Sequence, residues 1–262
     1  MDEPELKTAD TATGRIAYRE AGAGPAVVFL HGLGGGSLSW AEQLAGLSGK
    51  RRVIAWDCPG YGGSEDYPSA SPTPADYGDG LVAMLDAIGV SGEFDLVGHS
   101  MGGAIAPQVA ARHPGRVRRL VLSATRIAFS RWGGYEERLR QHSVMSPAEF
   151  GETRAESMCS KSASAVVRGV VAGIASEIRA PGYAAAVHLL SVCNNERELQ
   201  ALRLPVLVLA GAEDRIAPEA ETAALTAMVP GAYREIIGQA AHAAYIEQPA
   251  AYNARVEAFL DA

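Results

Sequence analysis

Short, continuous apolar runs alternate along this chain with glycine-rich loops and longer mixed stretches. Ala26-Val27-Val28-Phe29-Leu30 is a continuous apolar run, and Arg52-Val53-Ile54-Ala55-Trp56, the segment from Phe94 to Gly98, Val117 to Ser123 and Leu204 to Ala210 are further strand segments, apolar for the most part. Strands buried on both faces of a parallel sheet have this unbroken apolar character. Arg15 to Glu20 alternates apolar and polar residues, as a half-exposed strand does, and Tyr233 to Ile237 is a weaker strand. Between the runs, helical spacing predicts helices over Ser37 to Leu47, Ala75 to Ile88, Ala104 to Arg112, Glu219 to Met228 and Tyr245 to Leu260.

The repeat of strand, loop and helix predicts an α/β fold, a mostly parallel twisted sheet with helices on both faces. It breaks near Thr125. From Arg126 to about Asn195 no buried strand occurs, only helical stretches interrupted by Gly and Ser. A helical insertion between strands of one sheet reads as a cap over the strand ends. The expected organisation is therefore a core over 1–125, a helical cap over 126–195, and the rest of the core over 196–262. No internal repeat and no long linker divides them, so core and cap should fold as one unit.

Composition narrows the function classes. The 262 residues are 48% hydrophobic and 20% charged, the balance of a soluble globular domain. A net charge of −7 argues against a nucleic-acid partner or an anionic membrane surface, either of which selects a basic patch. Cys58, Cys159 and Cys193 are widely spaced and odd in number, which reads as reduced thiols and neither a disulfide frame nor a metal site. The acidic N-terminus lacks an apolar signal region and no run reaches membrane-spanning length, so a cytoplasmic protein is expected. Nothing in the composition decides between monomer and homodimer.

The chemistry centres on Gly98-His99-Ser100-Met101-Gly102-Gly103, which follows an apolar run and opens a small-residue helix. Strand, sharp turn and helix form the context in which Gly-x-Ser-x-Gly becomes a nucleophile elbow. With 29 glycines in the chain, the bare pattern arises by chance in roughly one such sequence in five. Partners must decide. A serine hydroxyl needs a base within hydrogen-bond reach, and the base needs an orienting acid. In a fold of this kind the chain order is serine, acid, histidine, each at a strand's C-terminal end. Asp214 follows the run ending at Ala210, and His242 follows the last weak strand. The strand ending at Ser123 offers no competing carboxylate. Of the other histidines, His31 and His99 lie in glycine motifs, His113 precedes Pro114, and His142 and His188 fall in the cap.

His31-Gly32-Leu33-Gly34-Gly35 is the second functional loop. Two backbone N–H groups aimed at a developing oxyanion are worth several kcal/mol. The amide of Met101, at a helix N-terminus, and the amide of Leu33 are the expected pair. Taken alone, the glycine loop reads equally as a phosphate cradle. The chain lacks a P-loop lysine and a dinucleotide-binding glycine spacing, which weakens that reading.

Together these segments resemble the α/β-hydrolase fold superfamily along essentially the whole chain. The matches are His-Gly-Leu-Gly-Gly at 31–35, Asp-Cys-Pro-Gly-Tyr-Gly-Gly-Ser at 57–64, Gly-His-Ser-Met-Gly-Gly at 98–103, Gly-Ala-Glu-Asp at 211–214, and His242 with Glu247-Gln248-Pro249. The resemblance implies a triad of Ser100, Asp214 and His242, with Leu33 and Met101 as oxyanion donors. Ser123 to Ile127, Trp132 and Gly182-Tyr183 look most like the branch of 3-oxoadipate enol-lactonases and meta-cleavage product hydrolases. In lactonase-like members an arginine near the start of the cap binds a substrate carboxylate, and Arg126 matches that place. A surface ion pair is the competing role for Arg126. Trp40 and Trp132 either wall an apolar pocket or pack in the core. The chain departs from the family pattern at Ala241, at Cys58 and at Pro107, which should kink the helix after the elbow.

The expected activity is hydrolysis of a small ester or lactone, carrying a carboxylate, through an acyl-enzyme on Ser100. No metal or organic cofactor is implied. Cleavage of a C–C bond in a vinylogous diketone, or of an amide, by the same triad stays open. So does a ligand receptor with vestigial hydrolysis.

Overall fold

The structure, a computed structural model, describes residues 4–262. Eight strands form one sheet: β1 (Leu6–Thr11), β2 (Gly14–Ala21), β3 (Ala26–Leu30), β4 (Arg52–Trp56), β5 (Phe94–His99), β6 (Val117–Ser123), β7 (Val206–Gly211) and β8 (Tyr233–Ile237). Their spatial order is β1-β2-β4-β3-β5-β6-β7-β8. The β1, β2 and β4 pairings are antiparallel, and all those from β4 through β8 are parallel. The chain has the α/β architecture that the strand and helix rhythm implies. Every residue of β5 and β7 is buried; β7, Val-Leu-Val-Leu-Ala-Gly, is apolar throughout, whereas β5 also buries the side chains of Asp95 and His99. The edge strand β1 was not legible: only Ala9 of Leu-Lys-Thr-Ala-Asp-Thr is buried, so no alternation marks it. It forms by pairing with β2, from Leu6 opposite Arg19 to Thr11 opposite Gly14.

Around the sheet lie α1 (Ala41–Leu47), α2 (Pro74–Ala87) and α3 (Met101–Arg112), and, after β7, α9 (Glu219–Met228), α10 (Ala244–Glu247) and α11 (Pro249–Asp261). Two expected helices differ in extent. The first begins with a 3₁₀ turn, Ser37–Trp40, before α1. The last is broken at Gln248, because the residue before Pro249 is disfavoured in the α conformation. Pro107 is accommodated inside a continuous α3. Close to it, the fully buried Asn195 donates to the Ala104 carbonyl and accepts from Gln108 Nε2, both at 2.7 Å.

Between β6 and β7 the chain is helical: α4 (Tyr135–Val144), α5 (Pro147–Met158), α6 (Ala165–Ser176), α7 (Ala180–Val192) and α8 (Glu196–Ala201). Helix α5 packs on α6 and α4 on α7, while α8 sits against α3 and α9. Gly182 meets Gly60 backbone to backbone: a Cβ at 182 would lie 2.0 Å from the Gly60 oxygen, so α7 can seat here only without a side chain.

At the start of the interior strand β5, the wholly buried Asp95 carboxylate accepts from Arg118 and meets Arg51 Nη1 at 3.3 Å. Removing one partner of a buried ion network strands the other charges, at about 3–5 kcal/mol. Asp95→Ala is therefore expected to lower stability by about 3 kcal/mol or more, read as a fall in the urea midpoint with unchanged slope. A change below about 1 kcal/mol would mean that the arginines find solvent easily.

Candidate active site

Parallel strands end at one edge of the sheet, and ligands of open α/β sheets bind beyond those carboxyl ends. Four loops converge there: 31–36 after β3, Ser100 after β5, 211–217 after β7 and 238–243 after β8. Strands β3 and β5 are direct neighbours, with Leu30 opposite Gly98. That adjacency sets the glycine loop against the serine. An ideal Cβ at Gly32 would lie 3.2 Å from the Ser100 Cβ.

Ser100 has φ 51° and ψ −109°, a strained state for a residue with a side chain, costing about 1–3 kcal/mol. The surroundings over-determine it. Its N–H donates to the Ser123 carbonyl at 2.9 Å, and its carbonyl accepts from Thr125 Oγ1 at 2.8 Å. A Cβ at Gly98 would lie 2.5 Å from the Gly102 oxygen, and one at Gly102 would lie 2.3 Å from the Leu30 oxygen. The small residues two before and two after Ser100 therefore let strand, helix and glycine loop touch. Met101 opens α3, where first-turn amides lack intrahelical acceptors. The next amide, of Gly102, donates to the His31 carbonyl at 3.1 Å and so ties the helix to the glycine loop.

Asp214 and His242 are brought together. His242 Nδ1 lies 2.9 Å from Asp214 Oδ2, and both side chains are buried. Asp214 Oδ1 accepts from the amides of Ile216 (2.7 Å) and Ala217 (2.9 Å). Burial opposes ionisation of this carboxyl, but the His242 imidazole and the two amides outweigh it and hold its pKa at about 2. An ionised Asp214 accepts from Nδ1–H, which selects the tautomer of the neutral imidazole that presents Nε2 as the acceptor. Among the described residues no hydrogen bond joins His242 to Ser100. The two are linked through His99, whose ring centroid lies 4.7 Å from that of His242. Serine–histidine bonds of this kind often close only with substrate bound.

Glu247 holds the histidine loop. One carboxylate oxygen accepts from the Ala241 amide at 2.8 Å and the other from the Ser160 amide at 2.8 Å. Ala243 N–H donates to the Met158 carbonyl at 3.0 Å. The end of α5 is thereby laced to the histidine loop.

The same helix supplies a group that the sequence did not announce. Arg154 lies on α5 beside Gly34: an ideal Cβ there would be 3.3 Å from its Nε and 3.5 Å from Met158 Sδ. Its Nε is buried without a hydrogen-bond partner, and none of its nitrogens lies within ion-pair distance of a carboxylate among the described residues. Burial lowers its pKa, and the nearby Arg138 guanidinium adds to that effect, while the neighbouring hydroxyls of Tyr183, Tyr61 and Tyr245 oppose it. Part of its surface stays open although protein surrounds it.

Arg126, expected at a substrate carboxylate, has other work. Its Nε donates to the Ile216 carbonyl at 3.0 Å and its Nη1 pairs with Glu221 at 3.0 Å. The guanidinium thus braces the turn whose amides hold Asp214. Trp40 is fully buried among Phe29, Tyr245 and Tyr252, so it packs the core and does not wall a pocket. Trp132 is half-buried between two guanidinium groups, Arg138 at 3.9 Å and Arg126 at 5.0 Å from the ring. A cleft of about 360 Å³ opens beside Tyr61, Leu38, Ile178 and Arg179, and neither Ser100 nor His242 lines it. Among the described residues no group of three or more His, Cys, Asp and Glu side chains is placed to hold a metal ion. No described helix is long and apolar enough to cross a membrane.

His31 and His99 are fully buried, and burial pushes both below the ordinary value of 6.5. Below that pH the unfolded chain binds protons that the native state refuses, so stability present above 6.5 falls as pH is lowered. The slope is up to about 1.4 kcal/mol per pH unit for each histidine. Urea unfolding at pH 7.5, 6.5 and 5.5 should show the loss beginning below 6.5. His99→Phe should roughly halve the slope; an unchanged slope would exclude His99 as a source.

Comparison with known proteins fits this geometry. A family model described as alpha/beta hydrolase family matches residues 27–255. A 2-hydroxymuconate semialdehyde hydrolase of Pseudomonas sp. (strain CF600) is 31% identical over 99% of this chain and 95% of its own. The 3-oxoadipate enol-lactonase 2 of Acinetobacter baylyi is 26% identical over 90% of this chain and 88% of its own. Among solved structures, an esterase of Thermogutta terrifontis with malate bound superposes with a TM-score of 0.89 at 25% identity, covering 98% of each chain.

Proposed function

This chain belongs to the alpha/beta hydrolase family, and on that footing we propose that it hydrolyses small esters or lactones bearing a carboxylate, through an acyl-enzyme on Ser100. The observation that carries the substrate class is Arg154. A guanidinium enclosed beside the glycine loop with no carboxylate of its own is costly unless a ligand supplies one. Its planar fork suits a carboxylate bidentately. The Thermogutta terrifontis esterase holds malate, a carboxylate-bearing small molecule.

In this reading Ser100 Oγ attacks the acyl carbon while Nε2 of His242 takes its proton. Asp214, ionised and bonded to Nδ1, steadies the resulting imidazolium. The amides of Leu33 and Met101 receive the oxyanion. Collapse of the tetrahedral intermediate breaks the bond to the leaving oxygen, which takes the proton from His242. Water then attacks the acyl-enzyme with His242 again as base, releasing the acid and restoring Ser100. Residues 126–195 serve as the cap, closing over Ser100 and excluding water, with α5 supplying Arg154.

A second reading is cleavage of a C–C bond by the same residues, favoured by the 31% identity to a 2-hydroxymuconate semialdehyde hydrolase. A panel of enol-lactones, neutral esters, amides and vinylogous diketones separates the two. The ester and lactone reading expects the highest kcat/KM for carboxylate-bearing lactones or esters. Faster turnover of diketones would replace it with the second.

A further inference from the structure

The oxyanion loop runs through Gly34-Gly35-Gly36, three residues of high backbone freedom, immediately after Leu33. Something must hold the Leu33 amide in place before substrate arrives. A trans peptide directs its C=O and N–H oppositely, so fixing the Gly32 carbonyl fixes the aim of the Leu33 N–H. That carbonyl accepts from the Gly35 amide at 3.0 Å and faces His31 Nδ1 at 2.8 Å. His31 Nε2 accepts from the Cys58 amide at 3.0 Å, which leaves Nδ1 as the protonated nitrogen and donor.

The next carbonyl along, that of Leu33 itself, is held by Tyr61, whose hydroxyl donates to it at 3.0 Å. Both anchors come from or rest on the 57–64 loop. Tyr61 is buried with its ring 5.0 Å from that of His31. The loop is braced in turn by Asp57, which accepts from the Ser37 amide at 2.6 Å and the Gly63 amide at 3.2 Å. Burial pushes the Tyr61 hydroxyl well above its ordinary range, so it remains a donor at any working pH.

We propose that Tyr61 is a positioning residue for the oxyanion hole: by hooking the Leu33 carbonyl while His31 holds that of Gly32, it keeps the Leu33 N–H aimed at the reacting carbonyl in the free enzyme. The role rests on the acyl-enzyme reading given above, and it is not a substrate contact. The hook fixes ψ of Leu33 at the entrance to the glycine run. The Leu33–Gly34 peptide is the middle of the turn that the Gly35 N–H closes on the Gly32 carbonyl; without the hook it rotates at the cost of one hydrogen bond less, the turn opens more often, and the Gly32–Leu33 peptide that carries the Leu33 N–H loses one of its two holds.

Tyr61→Phe tests this with minimal change of shape. Losing an oxyanion donor outright costs roughly 10²–10³-fold in kcat, and a loosened donor costs less, so a fall of about 10–100-fold is expected. KM and the affinity for the carboxylate product should stay within about twofold of wild type. Affinity for a trifluoromethyl ketone, which forms an oxyanion on Ser100, should fall by the same factor as kcat/KM. Product affinity on the same sample doubles as the check on folding. A wild-type kcat overturns the proposal, as does a parallel loss of product affinity, which would make Tyr61 a substrate contact or a merely structural residue. Ser100→Ala, run alongside, separates the two levels. If it retains hydrolysis the acyl-enzyme reading fails; if it is inactive while Tyr61→Phe is unaffected, only the role of Tyr61 fails.

Discussion

Replacing Ser100 with alanine is expected to lower kcat on short p-nitrophenyl esters by about 10⁴-fold or more, with little change in thermal midpoint. The Ser100 hydroxyl is carried by a strained backbone at the turn between β5 and α3, and the strain is enforced from three sides. Ser123 and Thr125 hold the Ser100 peptide groups, and the Gly98–Gly102 and Gly102–Leu30 contacts hold strand, helix and loop together. None of these involves Oγ. Alanine at 100 keeps them all, and it inherits the same φ near 51°. The variant should therefore fold, bind product and fail only in chemistry. A residual rate from the Leu33 and Met101 amides and from substrate binding is expected above that of water. Activity near wild type in Ser100→Ala would sink the nucleophile assignment and leave Asp214–His242 as a pair acting directly on water.

The second large effect concerns Arg154. Arg154→Met keeps an unbranched apolar stem and removes the charged head. For carboxylate-bearing substrates the loss of a charged hydrogen bond in an enclosed site is worth about 1.5–3 kcal/mol, which is roughly a 10–150-fold rise in KM. Neutral esters make no such contact, and their KM should change little. Stability should move the other way. An enclosed cation with an unbonded Nε and no carboxylate nearby weakens the native state, so its removal should hold or raise the thermal midpoint. Opposed effects on stability and on substrate affinity mark a group retained for binding. Equal KM changes for charged and neutral substrates would show that Arg154 shapes the chamber without reading charge. Arg126→Ala supplies the contrast. Because it braces the Ile216 carbonyl beside Asp214, its loss should lower kcat alike for charged and neutral substrates.

Much of this was legible along the chain because it is local. Continuous apolar runs specify strands buried on both faces, and such strands must be parallel and covered by helices. The elbow glycines are dictated by contacts within a few residues or with the neighbouring strand, so the Gly-x-Ser-x-Gly pattern carries its own steric reason. The edge strand β1 failed that test, since five of its six residues face outward or are partly exposed and its only support is pairing with β2. Arg126 stayed open between a substrate carboxylate and an ion pair for a related reason. Its place at the start of the cap says where the Cα lies, but the direction of a long guanidinium depends on which acceptors surround it, and the Ile216 carbonyl came from ninety residues away.

The order serine, acid, histidine at successive strand ends, the glycine loop and the sheet itself follow from the sequence alone, because spacing and polarity act over one strand or one turn. What the chain does with them was decided by tertiary structure. Arg154 sits in an ordinary polar helix, Pro-Ala-Glu-Phe-Gly-Glu-Thr-Arg-Ala-Glu-Ser-Met, and nothing in that pattern separates it from a surface arginine. It becomes a candidate carboxylate site only when α5 lies across Gly34 and is laced to the histidine loop through Glu247 and Met158. Tyr61 likewise gains its part only when the 57–64 loop meets the Leu33 carbonyl. The physical reason is common to both. A charge or a hydroxyl acquires its role from what burial removes around it, and burial is a property of the packed whole.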